Sequence, residues 1–167
     1  MEVVARLEFT TPCLGNVRRP DYDRMPCDRD GNVIFMTSWW RAAFAKAATA
    51  LSRYHRLVDK VHPALQVEGR IAPIKRFFGS RMERFKIHEG FDVGTVVTCR
   101  FILPYGMTIE QFTELLETVG DYIGISPYGW RLGDLGHFKV LGVTRRARSP
   151  HQKSGSSSPG DSVRPIR

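Results

Sequence analysis

The chain has 167 residues, 42% of them hydrophobic and 25% charged, the size and balance of one globular domain. It contains no run of about 18 apolar residues, which excludes a membrane-spanning helix. Its 15 glycines and 10 prolines follow no period, which excludes a fibrous chain.

Lys and Arg number 25 against 17 Asp and Glu, a net charge of +8 that favours a polyanionic partner and says nothing about fold. Most of the excess lies at the C-terminal end. Arg145, Arg146, Arg148, Lys153, Arg164 and Arg167 face one acid, Asp161. The segment 149–167 has almost no apolar side chains to offset an ordering entropy of ~1–2 kcal/mol per residue, and is expected to be a disordered basic tail behind a domain at 1–148. The opening residues show no basic stretch leading into an apolar run, so no secretory leader is expected. Cys13, Cys27 and Cys99 match neither a disulfide framework nor a zinc-binding CxxC pair. The expectation is a cytoplasmic protein with reduced thiols and no membrane partner.

Residues 2–10 alternate well enough, with Val4, Leu7 and Phe9 against Arg6 and Glu8, for a strand with one buried face. The segment 11–31, rich in Pro, Gly, Arg and Asp, reads as a long solvated loop. Asp30-Gly31 is a turn signal that launches the apolar run Val33–Met36. Thr37 or Ser38 is placed to cap a helix. Trp40, Phe44, Ala47 and Leu51 give that helix one buried face, and His62-Pro63 reads as a break.

The stretch 64–91 reads as extended pieces. The β-branched run from Thr95 to Leu103 is the clearest strand. Thr108 and Gln111 form a capping box. It opens a helix whose apolar positions are Ile109, Phe112, Leu116, Val119 and Ile123, stopped by Gly124. Phe138–Val143 is the last strand. The order predicts an α+β fold of ferredoxin-like or RRM-like type, an antiparallel sheet with two helices on one face and an extended basic hairpin. The other face of such a sheet is a surface on which RNA binders often place their ligand.

Three segments carry candidate function. In 70–86, the cations Arg70, Lys75, Arg76, Arg81, Arg84 and Lys86 face one acid, Glu83, with Phe77, Phe78 and Phe85 interleaved. Cations that neutralise phosphates beside rings that stack on bases are what a single-strand binder requires. The plain alternative is that some of these rings are core. In 124–139, four glycines precede the last strand, with Arg131, His137 and Lys139 able to contact a nucleic-acid backbone. No Gly-Lys-Ser/Thr follows, so this is not a phosphate-binding P-loop, and a glycine turn is the competing reading. In 11–31, Asp21, Asp23, Asp28 and Asp30 nearly cancel Arg18, Arg19, Arg24 and Arg29, and the EF-hand continuation to Glu is absent. No catalytic set, metal site or cofactor site assembles.

Taken together these segments resemble the RAMP superfamily of CRISPR-associated RNA-binding proteins, in particular its backbone subunits. The strand ending Leu7-Glu-Phe-Thr-Thr-Pro, the turn-borne Asp28-Arg-Asp-Gly-Asn-Val-Ile-Phe, the helix Ser38-Trp-Trp-Arg-Ala-Ala-Phe, the strand Gly94-Thr-Val-Val-Thr-Cys-Arg-Phe and the loop Gly133-Asp-Leu-Gly-His-Phe-Lys-Val carry the resemblance. It implies an RRM-like fold that binds RNA by sheet, loops and hairpin within an assembly of subunits. The expected function is binding of single-stranded nucleic acid, RNA rather than DNA, in a CRISPR-like or phage ribonucleoprotein. Two rivals are a metal-independent endoribonuclease with His55 or His137 as general base, and a virion or self-assembly protein packing through Trp39, Trp40 and the Pro-rich loop.

Overall fold

The computed structural model describes residues 1–77, 85–126 and 135–146. Strand β1 (Glu2–Phe9) buries every second side chain, and Val3, Ala5, Leu7 and Phe9 point into the core. It lies antiparallel between β8 (Val96–Ile102) and β9 (Phe138–Arg145), with a bulge opposite Arg6 and Leu7. A two-residue strand, β5 (His62–Pro63), flanks β8 on its other edge. The sheet order is therefore β5-β8-β1-β9, the strand order of a ferredoxin-like α+β fold. His62-Pro63, a break by sequence, is thus the shortened second strand of that fold. Proline is tolerated there because the strand lies on an edge.

Helix α1 (Thr37–Leu51) and helix α3 (Ile109–Thr118) pack on the buried face of this sheet. The capping box predicted for α3 is present: Gln111 N–H donates to Thr108 Oγ1 at 3.2 Å and Thr108 N–H to Gln111 Oε1 at 3.0 Å. The helix widens into a π turn at Val119–Ile123 before Gly124, whose φ of 72° ends it. At α1 the expectation fails in detail. Met36 holds the N-cap position and neither Thr37 nor Ser38 caps by its side chain. The helix also stops at Leu51, because Ser52 and Tyr54 take left-handed φ of 54° and 67°. A four-residue turn of helix, α2 (His55–Val58), follows.

The core is aromatic. Trp40 sits edge-on to Phe101 at 4.9 Å and stacks on Phe44 at 5.4 Å, and Phe112 adjoins both phenylalanines. Such pairs each add about 0.5–1.5 kcal/mol beyond the area they bury. Trp40 is 1% exposed and Trp39 packs on Phe35, so the tryptophans serve the core rather than the self-assembly surface of the rival reading.

The larger correction concerns 11–31. It is not a solvated loop. Cys13–Leu14 (β2), Val17–Arg18 (β3) and Tyr22–Arg24 (β4) join the hairpin β6 (Ala72–Phe77) and β7 (Phe85–Phe91) in a second, five-stranded sheet. β7 pairs with β6 along one edge, and with β2 and then β4 along the other.

Candidate nucleic-acid interface

The hairpin's register sorts its residues onto two faces. Ile74 stands opposite His88 and Arg76 opposite Lys86 on one face, while Pro73 opposes Glu89 and Lys75 opposes Ile87 on the other. β4 runs parallel to β7 with Tyr22 beside Ile87 and Asp23 beside His88, so its residues join the same two faces.

The first face is closed. Asp23 and His88 are 3% and 2% exposed. Lys86 Nζ lies 2.7 Å from Asp23 Oδ1, and His88 Nδ1–H donates to the Gly15 carbonyl at 3.2 Å with Asp23 Oδ2 3.6 Å away. The ammonium of Lys86, expected to meet phosphate, is therefore already paired with an acid from the segment read as loop.

The second face is open. Phe85 is 49% and Ile87 38% exposed, and Lys75 places its ammonium 3.7 Å from the centre of the Phe85 ring. The Arg24 guanidinium lies 5.2 Å from the centre of the Tyr22 ring, and its Nε–H donates to Tyr22 Oη at 2.7 Å. That hydrogen bond raises the guanidinium above its ordinary value, so Arg24 remains cationic. Glu89 is the acid on this face. It accepts Met25 N–H at 3.3 Å and lies 3.7 Å from Arg24 Nε. Arg24 was set aside because the charge of its segment looked balanced in sequence, and Tyr22 was not singled out. The alternation Tyr22-Asp23-Arg24, ring and cation out with acid in, was the available signal.

Arg70 is exposed and Arg76 half-buried. Phe77 ends β6. Phe78, Arg81, Arg84 and Arg131 lie outside the described residues, as does the segment 149–167 expected to be a disordered tail.

At the glycine loop, the described ends explain two of the glycines. Gly124 and Gly136 have φ of 72° and 73°, and a Cβ on Gly136 would meet the Ile125 carbonyl oxygen at 1.9 Å. His137 is held firmly: its N–H donates to Thr11 Oγ1 at 2.9 Å and its Nδ1–H to the Gly120 carbonyl at 2.9 Å. Lys139 is exposed on β9 opposite Glu8. Residues 11–14 connect the two candidate regions. Pro12 accepts Gly136 N–H at 2.9 Å, Cys13 Sγ lies 3.2 Å from the Ile125 carbonyl, and Cys13 also pairs with Phe91 of the hairpin.

The open face of the four-stranded sheet is a poorer candidate than its fold class implies. Its residues on β1 and β8 are Glu2, Val4, Arg6, Glu8, Val96, Thr98, Arg100 and Ile102, with no ring to stack a base. Arg100 is paired with Glu68, and Arg146 lies 2.6 Å from Glu2. Among the described residues no three His, Cys, Asp or Glu side chains gather as a metal site, and no helix is long and apolar enough to cross a membrane.

No protein-family model matches the chain, and no curated protein matches it. Among solved structures it is similar to a chain of the Type III-B Cmr-beta complex bound to cognate target RNA, determined by cryo-EM. The TM-score is 0.53 and the identity 7%, over 86% of this chain and 59% of that one. The present chain thus spans about three-fifths of its neighbour. The likeness is one of fold alone.

Proposed function

We propose that this protein binds single-stranded nucleic acid, RNA rather than DNA, as one subunit of a CRISPR-like or phage ribonucleoprotein. The observation that carries the reading is the open face of the hairpin sheet, where Phe85 and Tyr22 each hold a cation against the ring. Rings that stack on bases and cations that neutralise phosphates bind single strands with little regard to sequence. Arg70, Lys75 and Arg76, with Arg81 and Arg84, are the proposed phosphate contacts, and Phe77 or Phe78 stack beside Phe85. Arg131, His137 and Lys139 contact the backbone at the glycine loop. Lys86 is assigned instead to holding Asp23, on its 2.7 Å ion pair. The RNA preference and the multi-subunit setting rest on the similarity in fold to a chain from an RNA-bound complex.

The test is fluorescence anisotropy with matched RNA and DNA oligonucleotides of about 20 nucleotides. Counterion release predicts that log affinity falls linearly with log salt, by about 0.7 per phosphate neutralised on a single strand. RNA binding tighter than DNA with that slope supports the proposal. Binding that is absent, or indifferent to salt, overturns it.

A further inference from the structure

The rows of the hairpin sheet bring together residues that lie some 50 positions apart in sequence. Tyr22, Ile87 and Lys75 cross its open face in one row, and Arg24, Glu89 and Pro73 in the next. Between them runs a groove of about 420 Å³, lined by Tyr22, Ile71, Ala72, Pro73, Ile87 and Glu89. That volume falls within the range of small-ligand sites. The lining is mostly carbon. Tyr22 supplies a half-buried ring whose hydroxyl is fixed by Arg24, and Pro73 and Ile87 supply flat and branched apolar surface.

We infer that this groove holds one unpaired nucleobase, stacked on the Tyr22 ring against Ile87 and Pro73, with the neighbouring phosphates facing Arg24 and Lys75. The inference rests on the proposed function and adds to it a specific base position built from the 11–31 segment. Charge complementarity selects the occupant. The groove's lining is apolar apart from Glu89 and the Tyr22 hydroxyl, and two cations stand on the same face against aromatic rings, Arg24 at Tyr22 and Lys75 at Phe85. A nucleotide has the matching pattern, a planar apolar ring between two anions. Glu89, the acid in the lining, is offset by Arg24 and by the Met25 N–H it accepts. A proline-rich or apolar peptide has no anions for these cations.

The experiment compares, on the full chain, an oligouridylate with an oligomer of the same sugar–phosphate backbone whose bases are absent. Stacking predicts that the abasic strand binds about 5- to 150-fold more weakly. Tyr22→Ala should shrink that difference at least about fivefold with the salt slope unchanged, because no charge is lost, whereas Tyr22→Phe should preserve most of it. Photocrosslinking of the unsubstituted chain with a 5-iodouridine oligomer needs no variant and should place an adduct on Tyr22. Salt-dependent binding with equal affinity for the two strands, or adducts confined to the four-stranded sheet, overturns the groove and leaves the proposed function standing. If Tyr22→Ala changes sedimentation of the unliganded chain and leaves RNA affinity unchanged, the groove belongs to a second copy and the inference is overturned. Absence of binding to either strand overturns the proposed function, and the groove with it.

Discussion

Lys86 on the hairpin and Asp23 on the 11–31 ribbon (β2–β4) that pairs beside it meet at 2.7 Å, with the Asp23 carboxylate buried and the Lys86 side chain partly in solvent. This pair joins two segments some 60 positions apart and orients both faces of the second sheet. Removing the ammonium leaves a buried acid without its closest cation, so Lys86→Met should cost about 1–3 kcal/mol. Asp23→Asn in the same chain should recover part of that loss, giving a coupling that a double-mutant cycle in urea detects. Strictly additive costs would mean that the pair is incidental.

Gly90 marks where the ribbon seats on the hairpin. A Cβ there would lie 2.3 Å from the Cys13 carbonyl oxygen, a backbone atom that cannot swing aside. Gly90→Ala should therefore destabilise by about 1–3 kcal/mol through overpacking. It should also raise hydrogen exchange at Gly15, whose N–H donates to the Glu89 carbonyl at 2.8 Å.

Asp28 organises the turn before α1, accepting from Asp30 N–H, Asn32 N–H and the side-chain amides of Asn32 and Gln66. These bonds, the Asn32 side chain foremost, lower its carboxyl from 3.8 to about 2. A group depressed on folding stabilises above its unfolded pKa and loses that contribution as pH falls through the folded one. Melting temperatures should show the parent chain more stable than Asp28→Asn above pH 4, with the gap closing as pH falls toward 2. A gap independent of pH would contradict this.

The three cysteines differ sharply in environment. Burial pushes the Cys13 and Cys99 thiols far up, while Cys27 is exposed. Because the thiolate is the reactive form, an aromatic disulfide reagent should modify one thiol in the native state, at Cys27, and all three after denaturation. Rapid native labelling of Cys13 or Cys99 would show that the core opens there.

Each phosphate-contacting cation should contribute about 0.7 to the salt slope on a single strand. Arg70→Gln and Lys75→Gln should each lower the slope by that amount across all sequences, and Lys86→Met by clearly less, since its charge is engaged with Asp23. Equal slopes for all three variants would return Lys86 to the set of phosphate contacts.

Three strands of the four-stranded sheet and the two helices packed on it were legible because periodicity extends over long elements, whereas the two-residue strand His62–Pro63 reads as a break. Eight residues of β1 alternate cleanly, and the capping box fixes the start of α3. Of the second sheet the hairpin was legible, as extended pieces within 64–91, but not its pairing with 11–31. Its strands β2, β3 and β4 have two or three residues each, too few for a period, and the acids that looked like solvated charge include Asp23, one of the most buried polar residues described. The end of α1 was missed for a related reason. A left-handed stop at Ser52 and Tyr54 has no glycine to announce it. Of the candidate site, composition exposed the cations and rings of the hairpin, but only strand register reveals that they divide between two faces, and that Tyr22 and Arg24 belong with them.

Phe91 is the last residue of β7 and also lies flat against Phe9 at 5.7 Å, 6° from parallel, with Phe35 edge-on to both. The hairpin therefore has no joint at its root: its backbone runs directly into the stacked interior. A load applied to the outer sheet acts as leverage on that stack, so whatever is grasped there pulls on the same rings that hold the whole domain together.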